Sequence, residues 1–477
     1  MTRTKAVGLV LGPALFLALA LLDTPLAHLP GFDRRPAYAA GLALLMAVWW
    51  FTEAIPIQWT AMLPLVTFPL TGVFGGGVGA GLARTGAEYA NAYIFLFLGG
   101  MAVGAALEHW GLHRRIALQL MVRIGASPPR LLLGLLVSTA CISLWISNTA
   151  TAVMMLPIAV AVLSELEGQA KARLPRFGMS LMLAVAYAAN VGGMGTKIGT
   201  ATNSIFVGWL STKLGYELSF PRFVLVGLPF VVLFVPVLWA ALWRFGRHDA
   251  PRGDAGAHAL RAQLASLGTS SPMERRVAWT FSVAALLWVF GDPLRRALAP
   301  ALPFELANRH YEAVVAMGAA GVLALARALP LAALRRIPVS ALMLLGGSFA
   351  MAAGLEGSGL SQWLGTQLEP LASQPPWARL TLASFATVAL SAVASNTATV
   401  NLMLTLLPPE LPLLSMVTLA SSCDFALPAG TPPNAIVFGS GRVHLPSMMR
   451  VGALLDVAAA ALLVAYGLFY LPLVVPP

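Results

Sequence analysis

The chain has 477 residues, of which 58% are hydrophobic and only 10% are charged. Soluble domains carry about 25% charged residues, so this composition excludes an ordinary soluble protein and indicates a polytopic membrane protein. The net charge of +11 would suggest nucleic acid in a soluble chain, but here we assign it to cytoplasmic loops that follow the positive-inside rule. The two cysteines, Cys141 and Cys423, give neither a disulfide framework nor a metal-binding spacing.

Apolar stretches of about 20 residues, the length needed to cross a bilayer, recur along the whole chain. The first stretch follows Arg3 and Lys5, and we interpret it as a retained helix rather than a cleaved signal peptide, because the chain behind it is itself membrane-spanning. We predict about 11 transmembrane helices. They lie near residues 7–27, 37–54, 57–76, 91–110, 179–212, 222–245, 276–294, 310–329, 340–360, 413–440 and 449–473.

Two short polar sequence motifs each occur twice in the chain, and we call these four segments the polar words. Ser-Asn-Thr-Ala-Thr occupies 147–151 and 395–399, which start 248 residues apart (147 to 395). Gly-Thr followed by Asn occupies 199–203 and 430–434, which start 231 residues apart (199 to 430). Small polar residues in membrane helices often serve only close packing, but two duplicated words at fixed offsets favour one binding site built by two related halves. That arrangement is typical of a secondary transporter.

Each polar word lies in the middle of an apolar stretch, where we expect the helix to be interrupted. Irregular backbone at membrane depth is tolerated only when it is buried in protein or lines water. Pro432 and Pro433 support one interruption because proline removes a backbone donor, whereas its counterpart depends on Gly199 and on analogy. We predict re-entrant hairpins at 131–165 and 378–408, and broken helices at 179–212 and 413–440.

The distribution of Lys and Arg predicts the orientation and the domain organisation. These residues are concentrated in the loops that share a side with the N-terminus, so we place the N-terminus in the cytoplasm and the C-terminus outside. Repeat 1 then begins at the second span, which enters from outside, whereas repeat 2 begins at the seventh span, which enters from inside. The two halves are therefore inverted relative to each other. We divide the chain into a first helix at 1–30, repeat 1 at 31–246, a cytoplasmic linker at 247–275 and repeat 2 at 276–477.

The chemistry of the four polar words suits a small anion and its counter-ions. Hydroxyl, amide and freed carbonyl oxygens coordinate Na⁺, as they do other hard cations. Freed N–H groups and helix N-termini attract a carboxylate. The sequence has no P-loop, no Gly-x-Ser-x-Gly elbow and no HExxH, and it offers no convincing acid, base or metal set for a membrane enzyme. A channel is also conceivable, but the duplicated hairpins favour alternating access.

These words, together with LPAGTPPNAIVFGSG at 427–441 and WWFTEAIPIQWTAMLPL at 49–65, resemble the divalent anion:sodium symporter family over essentially the full length. The resemblance implies an all-α elevator-type fold with scaffold and transport domains, assembled as a homodimer in a bacterial-type inner (plasma) membrane. It also implies Na⁺-coupled import of C4-dicarboxylates such as succinate, malate or fumarate. A Na⁺-independent dicarboxylate exchanger on the same fold is the alternative.

The family's ligand positions can be carried over residue by residue. The resemblance implies a first sodium site at Ser143, Ser147, Asn148 and Gly199, and a second at Ser391, Ala394, Asn396 and Gly430. The implied substrate contacts are Asn148, Thr149, Thr200, Asn396, Thr397, Thr431 and Pro432.

Lys197 departs from the family pattern, in which this position is apolar or neutral. A Lys at membrane depth costs about 3 kcal/mol or more unless it snorkels or pairs. We expect it to reach an aqueous cavity or an acid such as Glu108, and the sharper alternative is that it contacts the substrate or alters the first cation site. Asp424 is a candidate either for a polar network or for packing.

Overall fold

We describe the protein from a computed structural model, which covers residues 3–251, 256–301, 306–367, 370 and 373–475. Within these ranges the chain is built from α-helices and short 3₁₀ turns without a β-strand, which confirms the all-α prediction. Residues 252–255 of the predicted linker lie outside the described ranges.

The helices of the first part of the chain run up to the predicted linker. They are α1 Arg3–Leu21, α2 Arg35–Thr52, α3 Ile57–Ala61, α4 Leu63–Thr71, α5 Gly77–Glu88, α6 Ala92–His109, α7 Leu112–Ile124, α8 Pro128–Ser143, α9 Asn148–Ala170, α10 Pro175–Gly193, α11 Ala201–Leu214 and α12 Phe220–Gly246. A 3₁₀ turn covers Pro25–His28.

The remaining helices begin inside the linker. They are α13 Gly256–Ser266, α14 Pro272–Val289, α15 Gly291–Leu298, α16 Asn308–Leu325, α17 Leu331–Leu334, α18 Val339–Gly357, α19 Leu360–Gln367, α20 Pro376–Val393, α21 Asn396–Leu406, α22 Leu411–Ala420, α23 Pro432–Gly439, α24 Leu445–Phe469 and α25 Leu471–Val474. A second 3₁₀ turn covers Ala299–Ala301.

Seven segments in the described residues are long and apolar enough to cross a membrane, or eight if the pair at 272–301, bent by 77°, counts as one span. The other predicted spans fall on shorter or interrupted helices, so the number of crossings stays a prediction. Between Trp110 and Gly125 the chain forms α7, whose one polar and one apolar face agree with an interfacial helix.

The core is organised around α10. Every residue from Phe177 to Gly193 is buried, as expected for a helix that is apolar all round. Helices α8, α9 and α12 pack around it. In the second part of the chain α22 is buried in the same way, and α20 and α24 pack against it. A smaller core joins α2, α3 and α4 to α18.

Both buried helices stop before the Gly-Thr words, and a new helix begins within each word. The chain leaves α10 after Gly193 and resumes a helix at Ala201, and it leaves α22 after Ala420 and resumes at Pro432. The Ser-Asn-Thr words likewise lie between two helices, α8 and α9 in one case and α20 and α21 in the other. The structure therefore interrupts helical backbone at all four words.

Glycines allow the neighbouring helices to approach the two interruptions closely. A Cβ atom on Gly227 of α12 would collide with the backbone carbonyl oxygen of Met194. A Cβ atom on Gly452 of α24 would collide with the backbone of Phe425. Since backbone cannot move aside as a flexible side chain can, these two positions require glycine.

We therefore expect Gly227→Val and Gly452→Val each to destabilise the protein by roughly 1–3 kcal/mol, the usual cost of overpacking. Thermal unfolding of the detergent-solubilised protein measures the effect. Gly318→Val in α16 is the matched control, because a Cβ atom there meets nothing within 4 Å. Equal melting temperatures for all three variants would contradict the packing argument.

Candidate functional site

The first Ser-Asn-Thr word forms a tight turn between α8 and α9. Ser147 is the N-cap of α9, and its hydroxyl accepts a hydrogen bond from the amide of Ala150. The hydroxyl of Ser143, the last residue of α8, lies 3.0 Å from Oδ1 of Asn148 and 2.6 Å from the carbonyl oxygen of Ala189 in α10. The hydroxyl of Ser143 therefore holds the Asn148 amide oxygen against α10.

The first helix interruption packs directly on this turn. Its backbone is held by the Asn203 side chain, whose amide donates to the carbonyl oxygens of Gly193 at 2.9 Å and Thr196 at 2.7 Å. The hydroxyl of Thr196 donates to the carbonyl oxygen of Leu144 in the turn. A Cβ atom on Gly199 would collide with the Gly193 carbonyl oxygen, so the backbone at Gly199 lies against the end of α10.

The second half repeats these contacts. Ser391 Oγ lies 3.2 Å from Asn396 Oδ1 and 2.5 Å from the Ser421 carbonyl oxygen. The Asn434 amide donates to the carbonyl oxygens of Asp424 at 2.8 Å and Leu427 at 3.0 Å. Asn203, Gly193 and Thr196 correspond to Asn434, Asp424 and Leu427 at one offset of 231 residues (203 to 434). The duplicated words thus have duplicated hydrogen bonds.

The two halves are joined at the interruptions. The Asn190 amide of α10 donates to Thr431 Oγ1 at 3.0 Å, and the Tyr187 hydroxyl donates to the Phe425 carbonyl oxygen at 2.8 Å. Helix α11 packs on α21, and α23 packs on α9. The helix that follows each interruption therefore packs on the helix that starts at the Ser-Asn-Thr word of the other half.

All four polar words stand at a helix N-terminus. Ser147, Thr200, Ser395 and Thr431 are the N-caps of α9, α11, α21 and α23. A helix N-terminus has unpaired N–H groups and carries the positive end of the helix dipole. This is the backbone geometry that binds carboxylate and phosphate groups.

The same region contains oxygens suited to Na⁺. Buried side-chain oxygens without a hydrogen-bond donor include Oδ1 of Asn190, Asn203 and Asn434 and both carboxylate oxygens of Asp424. Hard cations prefer oxygen ligands of this kind. In the described residues no group of His, Cys, Asp and Glu has the arrangement of a transition-metal site. The donor set therefore fits Na⁺.

The candidate residues carried over from the family differ in accessibility. Ser143, Ser391, Ala394, Gly430 and Thr431 are buried. Asn148, Ser147, Thr200, Asn396 and Thr397 are half-buried, whereas Thr149 and Pro432 are exposed. Gly199 is buried at the end of the first interruption. A cavity near the first turn is lined by Ser147, Ala150 and Ile198, so that turn borders open space.

Lys197 pairs with Glu312, a partner that the sequence analysis missed. Its Nζ atom is fully buried and lies 2.9 and 2.7 Å from the two carboxylate oxygens of Glu312 in α16. Glu312 also accepts a hydrogen bond of 2.6 Å from the backbone amide of Phe220. The suggested pairing with Glu108 is wrong, because Glu108 binds Arg336 instead. An acid inside a predicted span was the signal that could have found Glu312.

The chain matches known proteins along its whole length. The family model described as the sodium:sulfate symporter transmembrane region matches residues 3–475. The "Sodium-dependent dicarboxylate transporter SdcS" of Staphylococcus aureus strain USA300 is 34% identical over 493 residues, covering 98% of this chain and 92% of that protein. The protein of the same name from strain NCTC 8325 / PS 47 has the same identity and coverage.

Two solved structures share the fold. The Alcanivorax borkumensis YdaH transporter is similar with a TM-score of 0.56 and 16% identity, covering 91% of this chain and 99% of that one. Neisseria gonorrhoeae MtrF is similar with a TM-score of 0.57 and 10% identity, covering 100% of this chain and 96% of that one. At these identities the similarity concerns the fold alone.

The bridging asparagines should be needed for the stability of the interruptions. Asn203→Ala or Asn434→Ala leaves two buried carbonyl oxygens without a donor, and each should cost about 1–3 kcal/mol. The thermal unfolding midpoint is the measurement. Asn308→Ala, at the start of α16, is the control. A midpoint for Asn203→Ala within error of the Asn308→Ala value would refute the bridging role.

Removing one member of the buried ion pair should destabilise the protein strongly. Lys197→Met leaves the Glu312 carboxylate buried without its counter-charge, which typically costs about 3–5 kcal/mol. The double variant Lys197→Met/Glu312→Leu removes both charges and should recover much of that loss in a thermal unfolding experiment. Lys171→Met, at an exposed position, is the control. Additive losses in the double variant would show that the two residues do not act as a pair.

Proposed function

We propose that this chain, which belongs to the divalent anion:sodium symporter family, is a secondary active transporter that imports C4-dicarboxylates by coupling them to Na⁺. The chain is a transporter and not an enzyme. Its S. aureus relatives are named as sodium-dependent dicarboxylate transporters, and the matched family model is named for sodium:sulfate symport.

One observation carries the proposal: four helices begin at the four polar words. A C4-dicarboxylate has a carboxylate at each end, and helix N-termini are suited to bind both. We assign Asn148, Thr149 and Thr200 to one carboxylate, from the first half. We assign Asn396, Thr397, Thr431 and Pro432 to the other, from the second half. The absence of Arg from these words suits recognition by neutral dipoles assisted by bound cations.

Sodium coupling follows from the charge of the substrate. Against a membrane potential of about 100 mV, inside negative, each negative charge costs roughly 2.3 kcal/mol to bring inwards. A dicarboxylate therefore faces about 5 kcal/mol before any concentration gradient. Two Na⁺ ions cancel this electrical cost, and a third would make uptake driven by the potential.

We place the sodium ions at the two Ser-Asn-Thr turns. The first site consists of Ser143, Ser147, Asn148 and Gly199, and the second consists of Ser391, Ala394, Asn396 and Gly430. Bound Na⁺ would order each turn and raise the affinity for the anion. Reciprocally, the bound anion would raise the affinity for Na⁺.

The cycle that we propose is an elevator movement of one domain against another. The two halves would be inverted repeats, with the first helix outside them, and each would contribute one hairpin and one broken helix. We further propose a homodimer in a bacterial plasma membrane with the N-terminus in the cytoplasm. The buried Lys197–Glu312 pair joins the first interruption to α16, so a movement between these two elements would have to break it.

Uptake by proteoliposomes tests the coupling. We expect labelled succinate to accumulate in vesicles that contain no internal succinate when Na⁺ is outside. Replacing Na⁺ by choline should lower the rate at least tenfold, because the electrical cost is no longer offset. Uptake that requires internal succinate and ignores Na⁺ would instead identify the exchanger.

Single substitutions test the location of the site. Asn148→Ala and Asn396→Ala should each lower the apparent affinity for Na⁺ and succinate at least tenfold, which corresponds to about 1.4 kcal/mol. Uptake at varied Na⁺ and succinate concentrations measures both affinities. Asn308→Ala should leave both affinities unchanged. Wild-type affinities in Asn148→Ala or Asn396→Ala would show that the binding site lies elsewhere.

A further inference from the structure

The carboxylate of Asp424 is buried in the second interruption and has no basic partner in the described residues. Its side chain is 0% exposed, and neither carboxylate oxygen makes a hydrogen bond of normal geometry in the described residues. Asp424 takes part in none of the ion pairs of the described residues. An unpaired carboxylate is very costly to bury. A carboxyl group buried without a basic partner is either neutral through a bound proton or balanced by a bound cation.

This carboxylate lies against Gly430 near the end of the second interruption. Oδ2 of Asp424 lies 2.8 Å from the place that a Cβ atom on Gly430 would occupy. The Asn396 side chain is close enough to interact with the carboxylate, although without a hydrogen bond of normal geometry. Oδ1 of Asn396 is in turn held by Ser391 Oγ at 3.2 Å. The Asn396 side chain therefore lies between the Ser391 hydroxyl and the Asp424 carboxylate.

The first half of the chain independently supports the direction in which the Asp424 side chain points. Gly193 occupies the position that corresponds to Asp424, since both carbonyl oxygens accept from the equivalent asparagine amide. A Cβ atom on Gly193 would collide with Oδ1 of Asn148. A side chain at this position thus points at the amide oxygen of the turn because of the backbone geometry. The first half has no room for an acid there, whereas the second half carries one.

We propose that Asp424 is an anionic ligand of the second sodium ion, so that the two sodium sites differ in charge. The inference rests on the proposed function, which places Na⁺ at Asn396. The first site coordinates Na⁺ with neutral oxygens only, whereas the second adds a full negative charge in a medium of low dielectric constant. The second site consequently binds Na⁺ more tightly and fills without substrate.

Asp456 of α24 is an acid that interacts electrostatically with Asp424, and it gives a matched control. Its carboxylate accepts a hydrogen bond of 2.7 Å from the backbone amide of Phe425. It is therefore held by the backbone beside Asp424. Asp456→Asn removes one negative charge from the same neighbourhood but keeps the Asp424 carboxylate. Comparing the two variants separates direct coordination from a general electrostatic effect.

The experiment is a sodium titration of thermal stability for the purified full chain without substrate, with choline chloride keeping the ionic strength constant. The titrations use wild type, Asp424→Asn and Asp456→Asn. Sodium that binds the folded state raises the melting temperature, and the midpoint of the rise reports its affinity. Repeating the titration in an Asn148→Ala background removes the contribution of the first site, so the remaining rise reports the second.

We expect Asp424→Asn to shift the sodium midpoint at least tenfold upward. In choline, its melting temperature should equal or exceed that of wild type, because an uncompensated buried charge has been removed. Asp456→Asn should change the midpoint less than threefold. An unchanged midpoint in Asp424→Asn, with wild type still stabilised by Na⁺, would overturn this inference alone. If Na⁺ fails to stabilise wild type, the proposed function fails with it.

Discussion

Backbone carbonyl groups that lose their helical partners deep in an apolar protein must find other donors, and in each half of this protein one asparagine supplies them. Asn203 bridges the carbonyl oxygens of Gly193 and Thr196, and Asn434 does the same in the second half. An unsatisfied backbone group in such surroundings costs several kcal/mol. These amides therefore stabilise the interrupted backbone from which the helices of the Gly-Thr words restart.

The position of the interruptions then determines how the rest of the molecule packs. Their backbone lies directly against α12 and α24, where Gly227 and Gly452 permit the contact. The helices that restart after each interruption pack on the helix that starts at the Ser-Asn-Thr word of the other half. The two halves therefore contribute jointly to the region of the polar words. The contact between Asn190 and Thr431 links the two halves at this point.

Two buried charged residues in the same region differ in whether the protein supplies a counter-charge. Lys197 is neutralised within the protein by Glu312, and that pair ties the first interruption to α16. The carboxylate of Asp424 has no basic partner in the described residues, and the neighbouring acid Asp456 is held by the backbone amide of Phe425. A charge balanced from within stabilises one arrangement of helices, whereas a charge left unbalanced favours an arriving cation. This asymmetry between otherwise matching halves distinguishes the two proposed cation sites.

The sequence by itself determined the all-α membrane class and the location of the four polar words, because composition and duplicated spacing are properties of the chain alone. It also located the interruptions, although the first contains no proline, since its glycines and its repeat partner marked the place. Glu312 and Asn190 lie far along the chain from Lys197 and Thr431, which they contact. Their roles arise only when helices from different segments pack together, and the Asp424 carboxylate could be recognised as unpaired only once every neighbour was known. Distances between segments remote in sequence are decided by tertiary packing, which no local pattern encodes.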